Sequence, residues 1–207
     1  MTYTIREEVA NAITHGIGFL LSIPAFVLLI IFSLKTNDPW YVVSFTVFGG
    51  SMILLYLFST LTHSIQHRKA KYVFEILDHA AIYILIAGTY TPFVLIPLRG
   101  GLGWILFGVI WTLAIAGIVF KMFFVKKFII LSTLIYIMMG WLVIIAIKPL
   151  YEALGTSGFT LLLTGGILYT IGSLFYVWRK IPYHHAIWHI FVLAGSSFMY
   201  FCILLYV

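Results

Sequence analysis

Charged residues are scarce in this sequence of 207 residues. They make up 9% of the chain, against roughly 25% in an ordinary soluble domain. Hydrophobic residues, in contrast, reach 63%. This balance excludes an ordinary water-soluble globular protein and predicts a chain that lies in a lipid bilayer.

Several motifs that carry chemistry in other proteins are also missing. Cys202 is the single cysteine, so an intramolecular disulfide is excluded. The sequence has no phosphate-binding glycine loop and no Gly-x-Ser-x-Gly nucleophile motif. The formal charge of +6 does not indicate nucleic-acid binding, because the basic residues are dispersed in short loops between apolar segments. Any chemistry must come from other residues.

Long apolar runs dominate what is present. Seven segments without charge each reach at least the roughly 20 residues that an α-helix needs to cross a bilayer. They are apolar on all sides, which excludes the alternation of a β-barrel. The sequence predicts one all-α domain over 1–207, a seven-transmembrane helix bundle. The predicted spans are approximately 9–34, 40–63, 74–98, 101–121, 127–147, 156–178 and 184–206. The first run is too long for a cleavable signal, so we expect it to remain.

The distribution of Lys and Arg predicts the orientation. The N-terminal segment and the even loops hold nine basic residues, whereas each odd loop holds one. The nine are Arg6, Arg68, Lys69, Lys71, Lys121, Lys126, Lys127, Arg179 and Lys180. Because cytoplasmic loops carry the excess of Lys and Arg, we expect a cytoplasmic N-terminus and an extracellular C-terminus. The odd loops are short, with one predicted turn at Lys148-Pro149-Leu150.

Ionisable residues inside the spans are concentrated near the basic end. Ionisable groups are costly in a bilayer, so each one is a candidate functional residue. Glu8, Asn11 and His15 share one face of the first helix through their i, i+3, i+7 spacing. Ser59 and His63 are spaced i, i+4 on the second helix. These two faces deliver polar groups to the same end of the bundle.

The third and seventh helices contribute to the same layer. Asp78 lies in the third span, and His185 and His189 are spaced i, i+4 at the start of the seventh. At 1.5 Å per residue from the nearest basic loop residue, His63, Asp78 and His185 lie roughly 8–10 Å deep. His189 lies roughly 14 Å deep by the same count. We therefore expect these side chains to meet.

Three histidines at similar depth predict a metal site. The imidazoles of His63, His185 and His189 form the three-nitrogen set of a catalytic zinc site that keeps its fourth position open. Asp78 is expected either to bind the water in that fourth position or to orient a ligand. Glu8, Asn11 and His15 are expected to hydrogen-bond the helix ends to one another, with support of the ligands as the functional alternative. Hydrogen-bonded interfacial histidines are the alternative interpretation.

The remaining histidines are predicted to lie outside this site. His79 and His184 point about 100° away from the neighbouring candidate ligands on their helices, and His67 is expected to be solvated in a loop. Glu75 is expected to pair with Lys71 through their i, i+4 spacing.

Taken together, these motifs resemble the haemolysin III family, the bacterial branch of the progestin and adipoQ receptor (PAQR) superfamily. The resemblance rests on Glu8-x-x-Asn11-x-x-x-His15, Ser59-x-x-x-His63, Asp78 and His185-x-x-x-His189, and it covers the whole chain. It implies a zinc ion held by His63, His185 and His189, with Asp78 acting through water and Ser59 nearby. It also implies a bacterial plasma membrane as the location.

Three functions follow as hypotheses from the site and the resemblance. The first is zinc-dependent, ceramidase-like hydrolysis of a lipid amide or ester bond, or a role in membrane lipid homeostasis, with Asp78 and Ser59 as catalytic residues and membrane lipids as partners. The second is membrane lysis or pore formation, which the family name implies. The third is a receptor or sensor in which zinc is structural.

Overall fold

All regular structure between residues 3 and 207 is helical. The computed structural model describes residues 3–207. The α-helices in this part of the chain are α1 (Ile5–Ser33), α2 (Pro39–Ser64), α3 (Arg68–Leu95), α4 (Gly101–Phe124), α5 (Ile129–Trp141), α6 (Ile147–Val177) and α7 (His184–Tyr206). A short 3-10 helix, Leu142–Ala146, joins α5 to α6. The predicted all-α class is confirmed.

Six helical segments of the described chain are long and apolar enough to cross a membrane. One of them, Ile129–Val177, has 49 residues, which would measure about 74 Å if straight and exceed a hydrocarbon core of about 30 Å. Its backbone leaves the helical conformation at Gly155, where φ is 64° and ψ is 180°. The Trp141 indole donates a hydrogen bond of 3.0 Å to Thr170 Oγ1. The segment therefore folds back as a helical hairpin, at Gly155 rather than at the predicted turn Lys148-Pro149-Leu150.

Local capping explains why some helices begin earlier than the apolar runs. Thr4 and Glu7 form a capping box at the start of α1, which therefore begins at Ile5 rather than near residue 9. His67 Nδ1 accepts a hydrogen bond from Ala70 N at the start of α3. Asp38 caps α2, with Pro39 in the favoured first position. A cap satisfies the free backbone N–H groups at the start of a helix, whether or not the first residues are apolar. The helices therefore do not begin at the same residues as the apolar runs.

The helices form a ring with one outlying member. Neighbours in contact follow the order α1, α2, α3, α5, α6, α7, and α7 closes the ring against α1. Helix α4 packs outside this ring, mainly against α3. Close approach of α4 and α3 depends on Gly117, where an added Cβ would lie 2.2 Å from the Tyr83 ring. The ring brings the first and last helices side by side.

The buried polar residues of the bundle lie on inward-facing helix sides, beside an apolar core, and apolar residues cover the outside. On α1 the buried positions include Asn11, His15, Gly18 and Ser22, at the three- and four-residue spacing of one helical face. Apolar side chains of the same helix, such as Leu20, are exposed. This pattern suits a lipid solvent, and it turns the polar face of α1 toward α2 and α7.

Candidate metal centre

Three buried histidines from two helices form a compact group. His63 lies in the last turn of α2, and His185 and His189 lie in the first two turns of α7. Their side chains are 0–5% exposed. One ring nitrogen from each lies within 4.8 Å of the others, so the group can bind a metal ion. We refer to these residues as the three-histidine group.

Each Nδ1 atom of the three-histidine group has a partner on the N-terminal segment or α1. His63 Nδ1 lies 2.6 Å from Glu8 Oε2, and His185 Nδ1 lies 3.1 Å from Tyr3 Oη. His189 Nδ1 lies 3.0 Å from Thr14 Oγ1 and 3.2 Å from the Asn11 carbonyl oxygen. A histidine that donates from Nδ1 presents the lone pair of Nε2 to a metal.

The Nε2 atoms fit a cation between them. His63 Nε2 and His185 Nε2 are 3.2 Å apart, close to the roughly 3.3 Å that two nitrogens span on a tetrahedral zinc with bonds of 2.0–2.1 Å. His189 Nε2 has no hydrogen-bond partner among residues 3–207. Three imidazole nitrogen donors, on rings whose Nδ1 atoms have hydrogen-bond partners, suit zinc well.

Helix α1 contributes the residues predicted to join the helix ends or to support the ligands. Glu8 bridges His63 and Lys71, whose Nζ lies 2.6 Å from Glu8 Oε1. His15 stacks on His189 with ring centroids 3.5 Å apart and an interplanar angle of 11°. Asn11 reaches His189 through its backbone carbonyl, whereas its buried side-chain amide has no partner among the described residues. The three predicted residues therefore all adjoin the group.

Asp78 and Ser59 lie buried on the neighbouring helices α3 and α2. The Ser59 hydroxyl lies beside the Asp78 carboxyl, and both side chains are at most 3% exposed. Ser59 Oγ and Asp78 Oδ1 make no hydrogen bond to any residue of the described chain. Asp78 is not one of the groups within 4.8 Å of the ligand nitrogens. The role of Asp78 toward a metal therefore stays a prediction.

The remaining histidines lie outside the group, as expected from their helical positions. His79 bonds to the Glu75 carbonyl and the Tyr176 hydroxyl, and His184 bonds to the Phe175 carbonyl. His67 is exposed and caps α3. The predicted ion pair between Glu75 and Lys71 is wrong. Lys71 pairs with Glu8, and Glu75 pairs with Lys126 at 3.2 Å.

Two residues of the site were not predicted. Tyr3 contacts the rings of His63, His184 and His185, and burial raises the pKa of its hydroxyl, which keeps the group neutral. Thr14 meets His189 across the α1–α7 contact. Tyr3 precedes the first apolar run and Thr14 is a common residue in membrane helices, so the sequence carries no signal for either.

An apolar cavity of about 170 Å³ adjoins the three-histidine group inside the ring. Tyr176 and Trp188 line its near end, and both rings contact the His185 ring. Phe159 and Leu150 line its far end. Between Tyr176 and Phe159, α6 rises about 25 Å, most of the thickness of a bilayer core. The cavity thus extends from the polar layer toward the opposite end of the bundle.

Comparisons with known proteins agree with this architecture. The family model described as "Haemolysin-III related" matches residues 3–200. The chain is 64% identical over 204 residues to "Hemolysin-3 homolog" of Bacillus subtilis (strain 168), covering 99% of this chain and 96% of that protein. It is 64% identical over 207 residues to "Hemolysin-3" of Bacillus cereus, covering 100% and 94%.

A more distant human relative spans nearly the same length. The chain is 27% identical over 210 residues to "Monocyte to macrophage differentiation factor" of Homo sapiens, covering 97% of this chain and 84% of that protein. The similarity to this human relative thus extends over nearly the whole chain. With its three-histidine group inside a membrane helix bundle, the chain belongs to the haemolysin III family, as its motifs predict.

Proposed function

We propose that this protein is a zinc-dependent hydrolase that cleaves an amide or ester bond of a membrane lipid. One observation carries the proposal: a buried three-histidine group, in which His189 Nε2 has no hydrogen-bond partner among residues 3–207, contacts Tyr176 and Trp188, which line an apolar cavity. A metal group that served only to hold helices together would not need such a cavity beside it. An enzyme acting on an acyl chain requires both.

The residues of the chain divide the chemistry among them. His63, His185 and His189 would hold the zinc, which when bound would supply Lewis-acid polarisation of a carbonyl and a water of lowered pKa. Asp78 would accept a proton from the water whose oxygen bonds to the carbonyl carbon. Asp78 would then return the proton to the leaving nitrogen or oxygen as the C–N or C–O bond breaks. The products are a free fatty acid and an amine or alcohol.

Ser59 and the cavity position the substrate in this scheme. The Ser59 hydroxyl lies beside Asp78 and can orient the water or donate to the developing oxyanion. The apolar cavity holds the acyl chain, with Tyr176 and Trp188 beside the reacting carbonyl. Burial of these groups excludes bulk water, which strengthens each electrostatic contact.

Release of fatty acid from defined lipids tests the hydrolase. Purified wild type with zinc is incubated with an N-acylated sphingoid base and with an ester lipid of the same acyl chain, and free fatty acid is measured by mass spectrometry. We expect release by the wild type and a loss of about 10²–10⁴-fold in Asp78→Asn, the contribution of a general acid–base group, with zinc retained. Fatty-acid release by Ser59→Ala should lie between that of the wild type and that of Asp78→Asn. Full activity of Asp78→Asn would contradict the mechanism.

Membrane lysis is the second candidate, because the Bacillus cereus relative is named "Hemolysin-3". A water-filled pore needs polar side chains through the full membrane thickness, and no charged side chain lines the cavity. Leakage of dye from liposomes by wild type and by zinc-free variants alike would support lysis over hydrolysis. A third possibility is a sensor with structural zinc, for which metal loss and not Asp78→Asn would abolish function.

We also propose seven crossings with a cytoplasmic N-terminus, in a bacterial plasma membrane. The hairpin at Gly155 supports two crossings by α5 and α6, the nine-to-three distribution of basic residues supports the orientation, and the bacterial relatives support the location. A Cys202→Ala background with Lys127→Cys or with Thr156→Cys, which is exposed next to Gly155, tests this in intact cells. An impermeant maleimide should label Thr156→Cys alone, and labelling of Lys127→Cys alone would reverse the orientation.

A further inference from the structure

A second, basic cleft lies at the same end of the bundle, outside the site described above. It has a volume of about 440 Å³ and is formed by the α4–α5 loop, the start of α5 and the end of α6. Lys126 and Arg179 supply its charge, and Phe128, Ile130, Leu131 and Val177 supply apolar walls. We call it the basic cleft. None of its lining residues belongs to the three-histidine group or to the hydrogen-bond partners of that group.

The two cations of the basic cleft lie just beyond the ends of membrane-length helices. Lys126 follows the end of α4 at Phe124, and Arg179 follows the end of α6 at Val177. These positions correspond to the level of lipid headgroups. Three apolar lining residues, Phe128, Ile130 and Leu131, are 50–63% exposed, which places hydrocarbon-compatible surface directly beside the charges.

The charge of the basic cleft is only partly compensated within the protein. Glu75 lies 3.2 Å from Lys126. Arg179 forms no ion pair with any residue from 3 to 207, and Lys127 and Lys180 adjoin the two cations in the chain. One acidic group therefore pairs with one of the two cations that line the basic cleft. The remaining positive charge, at headgroup depth and beside apolar surface, matches a molecule that is anionic at one end and apolar at the other.

We propose that the basic cleft binds an anionic phospholipid, with its phosphate between Lys126 and Arg179 and an acyl chain along Ile130 and Leu131. The Arg179 guanidinium suits a phosphate, because its planar donors can bond two oxygens at once. The start of α5 at Ile129 has no side-chain cap, so its free backbone N–H groups add partial positive charge. A soluble protein partner would leave the lipid-facing apolar walls unexplained.

The same two helices line the basic cleft and the apolar cavity. Ile129 in the cleft and Thr133 in the cavity are one turn apart on α5, and Val177 in the cleft adjoins Tyr176 in the cavity on α6. A phospholipid held by its headgroup therefore lies at the end of the α5–α6 seam. The binding itself is independent of hydrolysis, because it does not use the three-histidine group.

Lipid binding to the full-length protein tests the proposal. Purified protein in a neutral detergent is titrated with phosphatidylglycerol or phosphatidylcholine of identical acyl chains, and bound lipid is counted by native mass spectrometry. We expect the wild type to prefer phosphatidylglycerol by about tenfold, which corresponds to about 1.4 kcal/mol. Equal binding of the two lipids would overturn the proposal.

Two matched double variants separate the cleft from general surface charge. Lys126→Gln with Arg179→Gln should abolish the preference, whereas Lys127→Gln with Lys180→Gln removes the same charge one residue away and should keep the preference within about twofold. An equal loss of the preference in both double variants would show that diffuse surface charge binds the lipid. It would overturn the assignment to the basic cleft. Thermal unfolding of all variants checks that the fold is intact.

Two further measurements sharpen the result. Glu75→Gln frees Lys126 from its internal partner and should raise affinity for phosphatidylglycerol a few-fold, whereas a fall would contradict a phosphate at Lys126. Inorganic phosphate should not displace bound lipid, because the apolar walls contribute to binding. If phosphate displaced phosphatidylglycerol at concentrations that leave phosphatidylcholine binding unchanged, the ligand of the basic cleft would be a free anion rather than a lipid, and the proposal would be overturned.

Discussion

Glu8 Oε2 lies 2.6 Å from His63 Nδ1, and the other oxygen of the same carboxylate lies 2.6 Å from Lys71 Nζ. One side chain of α1 thus links α2 to α3 at the edge of the metal centre. A carboxylate behind a ligating histidine fixes its tautomer and raises its basicity. Lys71 in turn holds the carboxylate in place, which makes Glu8 a positioning residue.

Glu8→Gln is expected to lower zinc affinity by about 10–100-fold, the effect typical of removing a partner behind a ligand. The amide keeps the shape of the side chain but loses the negative charge that supports His63. Competition with a chromogenic chelator measures the affinity. Glu7→Gln is the matched control, because Gln preserves the capping box with Thr4 and Glu7 does not contact a ligand. Equal zinc affinity in both variants would show that the carboxylate is not needed.

His63→Ala, His185→Ala and His189→Ala are each expected to remove stoichiometric zinc from the purified protein. Each variant leaves two nitrogen ligands from the protein, fewer than structural or catalytic zinc sites normally use. Elemental analysis by mass spectrometry gives the metal content. His184→Ala is the control, since it is equally buried but bonds to a backbone carbonyl outside the group. Full zinc occupancy in the triple variant would disprove the assignment.

Gly140→Leu and Gly166→Leu are expected to reduce lipid hydrolysis while zinc stays bound. Both glycines line the apolar cavity, and an added Cβ at either meets nothing within 4 Å. The new side chains therefore take space from the acyl chain without a backbone clash. Gly108→Leu is the control, because it has the same open surroundings on α4 and does not line the cavity. A rise in KM for long acyl chains is the expected signature.

Gly155→Ala is expected to destabilise the protein by about 1–3 kcal/mol, since φ of 64° with ψ of 180° belongs to a region nearly restricted to glycine. The loss should fall on the α5–α6 hairpin. Chemical unfolding in detergent, followed by circular dichroism, measures the change. Gly166→Ala, in regular helix with free space around it, should leave stability unchanged or slightly higher. Similar losses in both variants would contradict a special role for the Gly155 backbone.

Much of the fold and the core of the site could be predicted from local pattern. Apolar runs identify membrane helices because the bilayer leaves no other solution for the backbone. The i, i+4 pair His185 and His189 and the depth of His63 suffice to predict the buried three-histidine group, which the structure confirms as a group that can bind metal. Zinc itself and the roles of Asp78 and Ser59 remain predictions.

Contacts between distant segments could not be predicted in the same way. Lys71 has two acids within reach, and helical spacing favours Glu75, yet the fold brings Glu8 of another helix closer. Tyr3 reaches His185 across 182 positions in sequence. The turn of the α5–α6 hairpin also lies later than expected, because Pro149 is tolerated in the first turn of α6 and only Gly155 allows the reversal.

The side-by-side placement of the first and last helices has a consequence for how the protein matures. Two of the three histidines lie in α7, and the Nδ1 partners of all three lie within the first 14 residues. During synthesis, these N-terminal partners and His63 are made long before the last helix. The three-histidine group is therefore complete only after α7 has been made, and a chain truncated before α7 lacks two of its three members.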